Sequence, residues 1–262
     1  MTGPSDSRPF ATDIARPAAD GALEPTPPAP PPEARQRWRV TFARELPADD
    51  EVPTGRDYIG RWEDTLVTSG LPTLPAASGR PRIALGAPLP QGCSADAELL
   101  EFWLTELRPL WAVREGVEAQ LPSRHRLAAL ENVWLGAPPL SGQVAAAEYV
   151  VTLGGDATND ATLRAAAANL LEARRLPRER VKSGGTKTYD LRPLLLALDM
   201  SGRAIRMRTR IHPELGTGRP EEVVAALSDA AARPIEVEST VRVRLMLVEE
   251  LEARLSAPLR FD

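Results

Sequence analysis

Arginines alternate with apolar residues in one short stretch of the sequence. Arg206, Arg208 and Arg210 are separated by single residues, and the apolar Ile205 and Met207 occupy alternate positions. In a β-strand, this spacing puts the arginines on one face and the apolar side chains on the other. The planar guanidinium matches the oxygens of a phosphate, so the pattern predicts a sheet face that contacts the phosphate backbone of a nucleic acid. The alternative is an ordinary solvated face whose charges are balanced by acidic residues elsewhere.

The charge distribution along the chain favours the same region. The formal net charge is −4, but residues 174–219 contain twelve Arg or Lys and four Asp or Glu, a local net charge of +8. The rest of the chain therefore carries −12. Arg242 and Arg244 also alternate with apolar residues, and we expect them to share one strand face in the same way.

Two Arg-Pro motifs form a second candidate site. They are Asp190-Leu191-Arg192-Pro193 and Gly216-Thr217-Gly218-Arg219-Pro220-Glu221-Glu222. Proline suits the first turn of a helix, and a helix N-terminus attracts anions. The motifs therefore predict either an anion pocket or arginines that pair with Asp190 or Glu222 to hold the fold together. The predicted RNA- or anion-binding residues are Arg192, Arg206, Arg208, Arg210, Gly216, Gly218 and Arg219, with Asp190, Pro193, Pro220 and Glu222 as supporting motif positions.

No combination of residues predicts a catalytic or metal site. His125 and His212 lie outside any nucleophile or metal-ligand motif, so we interpret them as surface or loop residues. Cys93 has no base nearby in the sequence and is expected to be an inert small residue. As the single cysteine, it also excludes an internal disulfide and an all-cysteine metal site. We therefore predict no catalytic residue, no metal and no cofactor.

Proline separates an N-terminal arm from the rest of the chain. Nine of the 26 prolines lie before residue 33, and proline favours extended, solvated backbone. We expect residues 1–35 to be a disordered Pro- and Ala-rich arm. No apolar run approaches the roughly 18 residues of a membrane-spanning helix, and Met1–Pro9 lacks the pattern of a secretory signal. These features favour a cytoplasmic protein that does not contact membranes.

The body of the chain alternates strands and helices. Residues 36–140 predict the order βαββαβ, which is typical of a ferredoxin-like unit. Residues 141–262 also alternate, with a helix over 158–173, a short helical piece over 193–198 and a strand over 203–211. We therefore predict an α+β fold in which two ferredoxin-like halves pack together, the second of which has a basic sheet face.

Several stretches resemble a known protein family. The opening strand Arg39-Val40-Thr41-Phe42 and the segment Gly79-Arg80-Pro81-Arg82-Ile83 are two of them, and the two Arg-Pro motifs are the most specific. On these residues the chain resembles the DUF2344, or radical SAM-linked protein, family. The resemblance implies a domain fused to, or encoded beside, a radical SAM enzyme, with no assigned activity of its own. The chain departs from the family pattern in its first helix, where Asp57-Tyr58-Ile59 replaces a His-x-Asp element.

Three hypotheses for function follow. The first is a non-catalytic accessory protein that binds RNA, such as tRNA or rRNA, and assists a radical SAM RNA-modifying enzyme. The chain itself lacks the three-cysteine motif of a radical SAM core. The second is an RNA-modifying enzyme with Asp190, Arg192 and Arg219 in its site. The third is an adaptor that binds protein through the proline-rich arm.

Overall fold

The computed structural model describes residues 32–46, 55–155, 161–182 and 185–255. Most of the predicted arm, residues 1–31, lies outside the described residues. Within them the chain is a mixed α+β structure that is dominated by one nine-stranded sheet. This agrees with the α+β class that the sequence predicts.

The first half builds its core from the alternation of β1 and the helical spacing of α1. Val40 and Phe42 of β1 pack against Trp62 and Leu66 of α1 in one buried cluster, because residues two apart share a strand face and residues four apart share a helix face. The elements are β1 (Gln36–Arg44), α1 (Gly55–Thr68), β2 (Ile83–Leu85), β3 (Cys93–Leu104), α2 (Leu110–Glu118) and β4 (His125–Val133).

The second half builds a separate core on β5 and two helices. Tyr149 and Val151 of β5 pack with Leu163 of α4 and Val223 of α5. The elements are α3 (Leu140–Gln143), β5 (Val144–Leu153), α4 (Ala161–Glu172), β6 (Pro177–Lys182), β7 (Gly185–Asp190), a 3₁₀ turn (Arg192–Leu194), β8 (Leu195–Ser201), β9 (Ala204–His212), β10 (Gly216–Thr217), α5 (Pro220–Ala230), β11 (Val237–Leu247) and α6 (Val248–Leu255).

The strands of each half pair in the same order. In the first half β3 lies between β1 and β2, and β4 pairs with the other edge of β1. In the second half β9 lies between β5 and β8, and β11 pairs with the other edge of β5. All these pairs are antiparallel, whereas β11 and β3 run parallel and join the halves into one sheet. The β6–β7 hairpin forms a separate two-stranded sheet.

The sheet has one face covered by helices and one that is largely polar. The buried clusters place α1, α2, α4 and α5 over the face that carries Val40, Phe42, Tyr149 and Val151. The opposite face, which we call the arginine face, carries arginines of β1, β9 and β11. It is partly covered by α6, whose Leu251 packs on Ala146 and Met246.

Several predicted elements need correction. The short helix expected over 193–198 is wrong, because the chain makes only a 3₁₀ turn and then enters β8, which pairs with β9. Leu194, Leu195 and Leu198 are buried in the core of the second half, and tertiary packing overrides their helical preference. Helix α6 follows β11 at Val248–Leu255, where no helix was predicted. The helix expected from Pro220 is confirmed as α5.

Candidate nucleic-acid interface

Strand β9 presents its arginines on the arginine face. Arg206, Arg208 and Arg210 lie opposite Val150, Glu148 and Ala146 of the central strand β5. The intervening Ile205 and Met207 point into the buried core under the helices. The strand therefore separates charged from apolar side chains as the alternation predicts. The three arginines nevertheless differ in what they contact.

Arg208 is engaged inside the protein. Its side chain is 2% exposed, and its Nε and Nη2 donate to Oε1 of Glu148 at 2.9 and 2.7 Å. Nε of Arg244 donates to the other carboxylate oxygen at 2.7 Å. Burial opposes ionisation of Glu148, but the hydrogen bonds from Arg244 and Arg208 outweigh it, so the pKa of Glu148 is lowered. Among the predicted binding residues, Arg208 therefore serves the fold more directly than a ligand.

Within the described residues, neither Arg206 nor Arg210 pairs with a carboxylate. Both are partly buried, and the Nε atom of each is buried without a hydrogen-bond partner in the described residues. Asp199 of the edge strand β8 lies opposite Arg206 in the register, but no ion pair joins the two in that part of the chain. Buried N–H groups are nearly always satisfied, so the described structure leaves two Nε donors on this face that an additional acceptor could bond.

Arg242 and Arg244 do not share a face, contrary to the expectation from their alternation. A β-bulge falls between them, so Arg242 lies opposite Tyr149 and Arg244 opposite Glu148. The extra residue turns Arg242 to the helix-covered side, where its side chain is 1% exposed and bonded to Glu98 of β3. Arg242 also donates to the carbonyls of Ala87 and Pro88 at 3.0 and 2.9 Å. This buried pair ties the two halves of the chain together.

The first Arg-Pro motif shapes the backbone. The Asp190 carboxylate accepts N–H bonds from Leu176 and Arg192 at 2.8 and 3.0 Å. The Arg192 guanidinium donates to the carbonyls of Leu171, Ala173 and Leu195 at distances of 2.6–3.1 Å. Two of these carbonyls lie at the C-terminus of α4, where unpaired carbonyls need donors. Arg192 and Asp190 therefore fasten α4 to the turn before β8, and Pro193 lies in that turn.

The second Arg-Pro motif starts α5. Pro220 occupies the first turn and is buried, and Arg219 before it is extended and 47% exposed, 3.8 Å from Glu221. Glu222 forms a two-bond pair with Arg180 of β6, with both distances 2.8 Å. The backbone N–H groups of Glu222 and Val223 already bond to the Arg219 carbonyl. Arg192 and Arg219 belong to the turn before β8 and the start of α5, whereas Arg206 and Arg210 belong to β9, so the predicted binding residues are divided among separate elements.

The two glycines of this motif have different roles. Gly216 has φ +92°, a region that side chains rarely adopt. Gly218 has no room for a side chain, since a Cβ there would lie 2.8 Å from the Leu194 carbonyl oxygen and 2.9 Å from Cβ of Thr209. Gly218 therefore permits the close approach of the loop to the turn before β8.

Arginines of the first half lie on the same face and were not among the predicted binding residues. Arg37 and Arg39 of β1 both donate to Glu101 of β3, and their side chains are 2% and 11% exposed. Arg82 lies over the ring of Trp103, with 4.4 Å between its Cζ and the ring centroid. The signal in the sequence was the Arg37-x-Arg39 alternation, which repeats the pattern of β9.

The histidines and the cysteine show no catalytic arrangement. His125 is partly buried and stacks on Tyr58 at 5.9 Å, so it is not the surface residue that we expected, and burial lowers its pKa. His212 bonds to the backbone of the next turn. Cys93 is buried, which raises the pKa of its thiol to about 11. In the described part of the chain, no three His, Cys, Asp or Glu residues are grouped to hold a metal ion.

The family relationship that the motifs indicate is confirmed. A family model described as "Uncharacterized protein conserved in bacteria (DUF2344)" matches residues 78–234, more than half of the chain. The protein belongs to this family. No curated protein matches the sequence significantly. Among the described helices, none is long and apolar enough to cross a membrane.

Two solved structures are similar over 79% of the chain. One is "Crystal Structure of a Cbf5-Nop10-Gar1 Complex", at 10% identity and a TM-score of 0.43, with 48% of that chain covered. The other is the archaeal box H/ACA sRNP Nop10-Cbf5 complex, at 14% identity and a TM-score of 0.39, with 47% covered. The chain therefore spans about half the length of the chains that it matches.

Proposed function

We propose that this protein is a non-catalytic accessory protein that binds RNA through the arginine face and assists a radical SAM RNA-modifying enzyme in the cytoplasm. The observation that carries the RNA part is the pair Arg206 and Arg210. Both guanidiniums lie on one sheet face, and both have a buried Nε without a partner in the described residues. An RNA backbone supplies phosphate oxygens for both.

The surrounding charges support the choice of a polyanion. Glu148 is shared by Arg208 and Arg244, and Glu101 is shared by Arg37 and Arg39. Each cluster of two arginines and one glutamate keeps one net positive charge. Arg206 and Arg210 add two more on β9, where they are available to an anion.

The proposal treats residues 36–140 and 141–262 as two ferredoxin-like units. The support is the identical strand order in both halves, with two of the long helices of each half on the same side of the shared sheet. The opposite side of the sheet is the arginine face. The proposal treats residues 1–35 as a third part of the chain, the proline-rich arm.

A binding role explains the contacts of the motif residues better than a catalytic role does. The Asp190 carboxylate bonds to two backbone amides, and the Arg192 guanidinium to three carbonyls, which favours a structural task for both. Arg219 is the exposed member of the motifs and could extend the phosphate contacts at the start of α5. The adaptor hypothesis depends on the arm, most of which lies outside the described residues.

The test is RNA binding across a salt series. For single-stranded RNA, the slope of log K against log salt is about −0.7 per neutralised phosphate. If each arginine neutralises one phosphate, the slope of log K against log salt for the double variant Arg206→Ala, Arg210→Ala should therefore be less steep than that of the parent protein by about 1.4. The control is Arg108→Ala, Arg114→Ala, which removes two exposed arginines of the first half. If both double variants bind RNA like the parent protein, the arginine face is not the RNA site.

The radical SAM partnership needs its own experiment. It rests on what the family resemblance implies, so the enzyme to test is a radical SAM protein encoded beside this chain. Co-expression followed by size-exclusion chromatography should give one complex at a fixed ratio. Separate elution at all protein concentrations would reject the partnership and leave the RNA proposal in place.

A further inference from the structure

A second polar feature of the first half is a cavity of about 400 Å³ at the end of β3. Its lining includes Trp103, Arg37 and Arg82, together with the apolar Ile83, Leu135 and Pro139. Since β1 lies beside β3, Trp103 lies opposite Arg37 and shares its face, the arginine face. A cavity with aromatic, apolar and cationic walls has the composition of a site for a flat, anionic ligand.

Arg82 is held in place without a carboxylate. Its Cζ lies 4.4 Å from the centroid of the Trp103 ring, and Trp103 is only 8% exposed. Arg82 itself is exposed, and its side chain has no hydrogen bond or ion pair in the described residues. A guanidinium that stacks on an indole is pre-organised, while its outer face and its N–H groups remain free for a ligand.

The neighbouring arginines show why Arg82 is different. Arg37 donates to Glu101 and to the carbonyls of Ala137 and Pro138. Arg80 pairs with Glu63 and Asp64. Arg82 differs from Arg37 and Arg80 because it has no side-chain hydrogen bond or ion pair within the described residues and lies over an aromatic ring.

An exposed tryptophan stands in the loop that forms the cavity wall. Trp134 is 77% exposed, and a Cβ on Gly136 would lie within 2.5 Å of its ring, so the ring lies over that glycine. The flanking residues Leu135 and Ala137 both line the cavity. A large apolar ring that is left in water next to a cationic cavity adds a surface on which a base can stack.

We propose that this cavity binds one unpaired base of a single-stranded RNA. The base stacks on the outer face of the Arg82 guanidinium, and the N–H groups of Arg82 donate to an adjacent phosphate. The proposal rests on the proposed function, because it takes RNA as the ligand of the arginine face. It adds a preference for single strands, since bases in a duplex are stacked on each other and cannot enter a cavity.

The experiment compares a short oligouridylate with an RNA duplex that has the same number of phosphates. Fluorescence anisotropy gives the affinity of each probe for the full chain. The variant Arg82→Lys keeps the charge and removes the planar surface. It should weaken oligouridylate binding by about fivefold or more and leave duplex binding within about twofold. Arg114→Ala is the control, and thermal unfolding of each variant verifies its fold.

The possible outcomes distinguish failure of the base site from failure of the proposed RNA function. Selective loss of oligouridylate binding in Arg82→Lys supports the base site. If the parent protein binds RNA and Arg82→Lys binds each probe as tightly as the parent does, the base site is rejected and the RNA function stands. An equal loss of affinity for both probes also rejects the base site, because Arg82 would then contribute to RNA binding in general and not to the binding of an unpaired base. If the parent protein binds neither probe, both proposals fail.

Discussion

Replacing Glu148 by glutamine tests the central ion cluster of the arginine face. Glu148 accepts two hydrogen bonds from Arg208 and one from Arg244. Glutamine has nearly the same shape, but it keeps one oxygen and places an NH₂ group against an arginine. Breaking a buried pair costs about 3–5 kcal/mol, because a charge is left buried without its partner. The Arg244 side chain is 28% exposed and can turn to water. We therefore expect Glu148→Gln to lower the free energy of unfolding by about 3 kcal/mol, at the lower end of this range.

The cost of Glu148→Gln should depend on pH in a defined direction. The pKa of Glu148 is lower in the folded protein than its ordinary value near 4.5. The carboxylate therefore contributes its full stability above that value and loses it as the pH falls through the folded pKa. The difference in unfolding free energy between parent and variant should be largest at neutral pH and shrink in acid.

Urea unfolding at several pH values measures this difference. Glu118→Gln is the matched control, since Glu118 is an exposed partner of Arg114 on α2, and such pairs contribute about 0.5 kcal/mol or less. A Glu148→Gln cost below about 1 kcal/mol at pH 7 would contradict the argument. So would a cost that stays constant as the pH is lowered, because it would arise from packing and not from the charge.

Two further predictions concern buried groups. Arg242→Met should lower the free energy of unfolding in urea by about 3–5 kcal/mol, because it leaves Glu98 buried without its partner. Adding Glu98→Leu should restore much of this loss. If the effects of the two substitutions simply add in the double variant, the two residues are not coupled. The three tyrosines are Tyr58, Tyr149 and Tyr189, and burial raises the pKa of each, that of Tyr189 to about 12. Absorbance at alkaline pH should therefore show little phenolate in the folded protein near pH 10, and a full titration step there would contradict this.

Local patterns in the sequence predicted much of the secondary structure. The alternation in β1 and β9 and the start of α5 at Pro220 depend on neighbouring residues, and the structure contains all three elements. The leucines after Pro193 were misinterpreted as helical, because an apolar run has no period that distinguishes a helix from a buried strand. Pairing with β9, the strand that follows directly along the chain, decides for the strand.

The candidate site was harder to predict, because it depends on which charges meet across strands. Arg206, Arg208 and Arg210 are equivalent in the sequence, yet only Arg208 lies opposite a glutamate, Glu148. A one-residue shift in the pairing of β5 and β9 would have changed this. Arg242 and Arg244 show the same limit, since a single bulge sends them to opposite faces.

The distribution of paired and unpaired arginines gives the strongest reason to place a ligand on this face. Arginines needed only for stability should be satisfied by carboxylates or carbonyls, as Arg37, Arg192, Arg208 and Arg242 are. Leaving a buried Nε without a partner costs stability, and a ligand that accepts a hydrogen bond from it would remove that cost. Arg206 and Arg210 are such positions within the described chain, and Arg82 adds an exposed guanidinium without a carboxylate on the same face. RNA that binds along this face would satisfy all three, so substituting any one of them should weaken RNA binding more than it weakens folding.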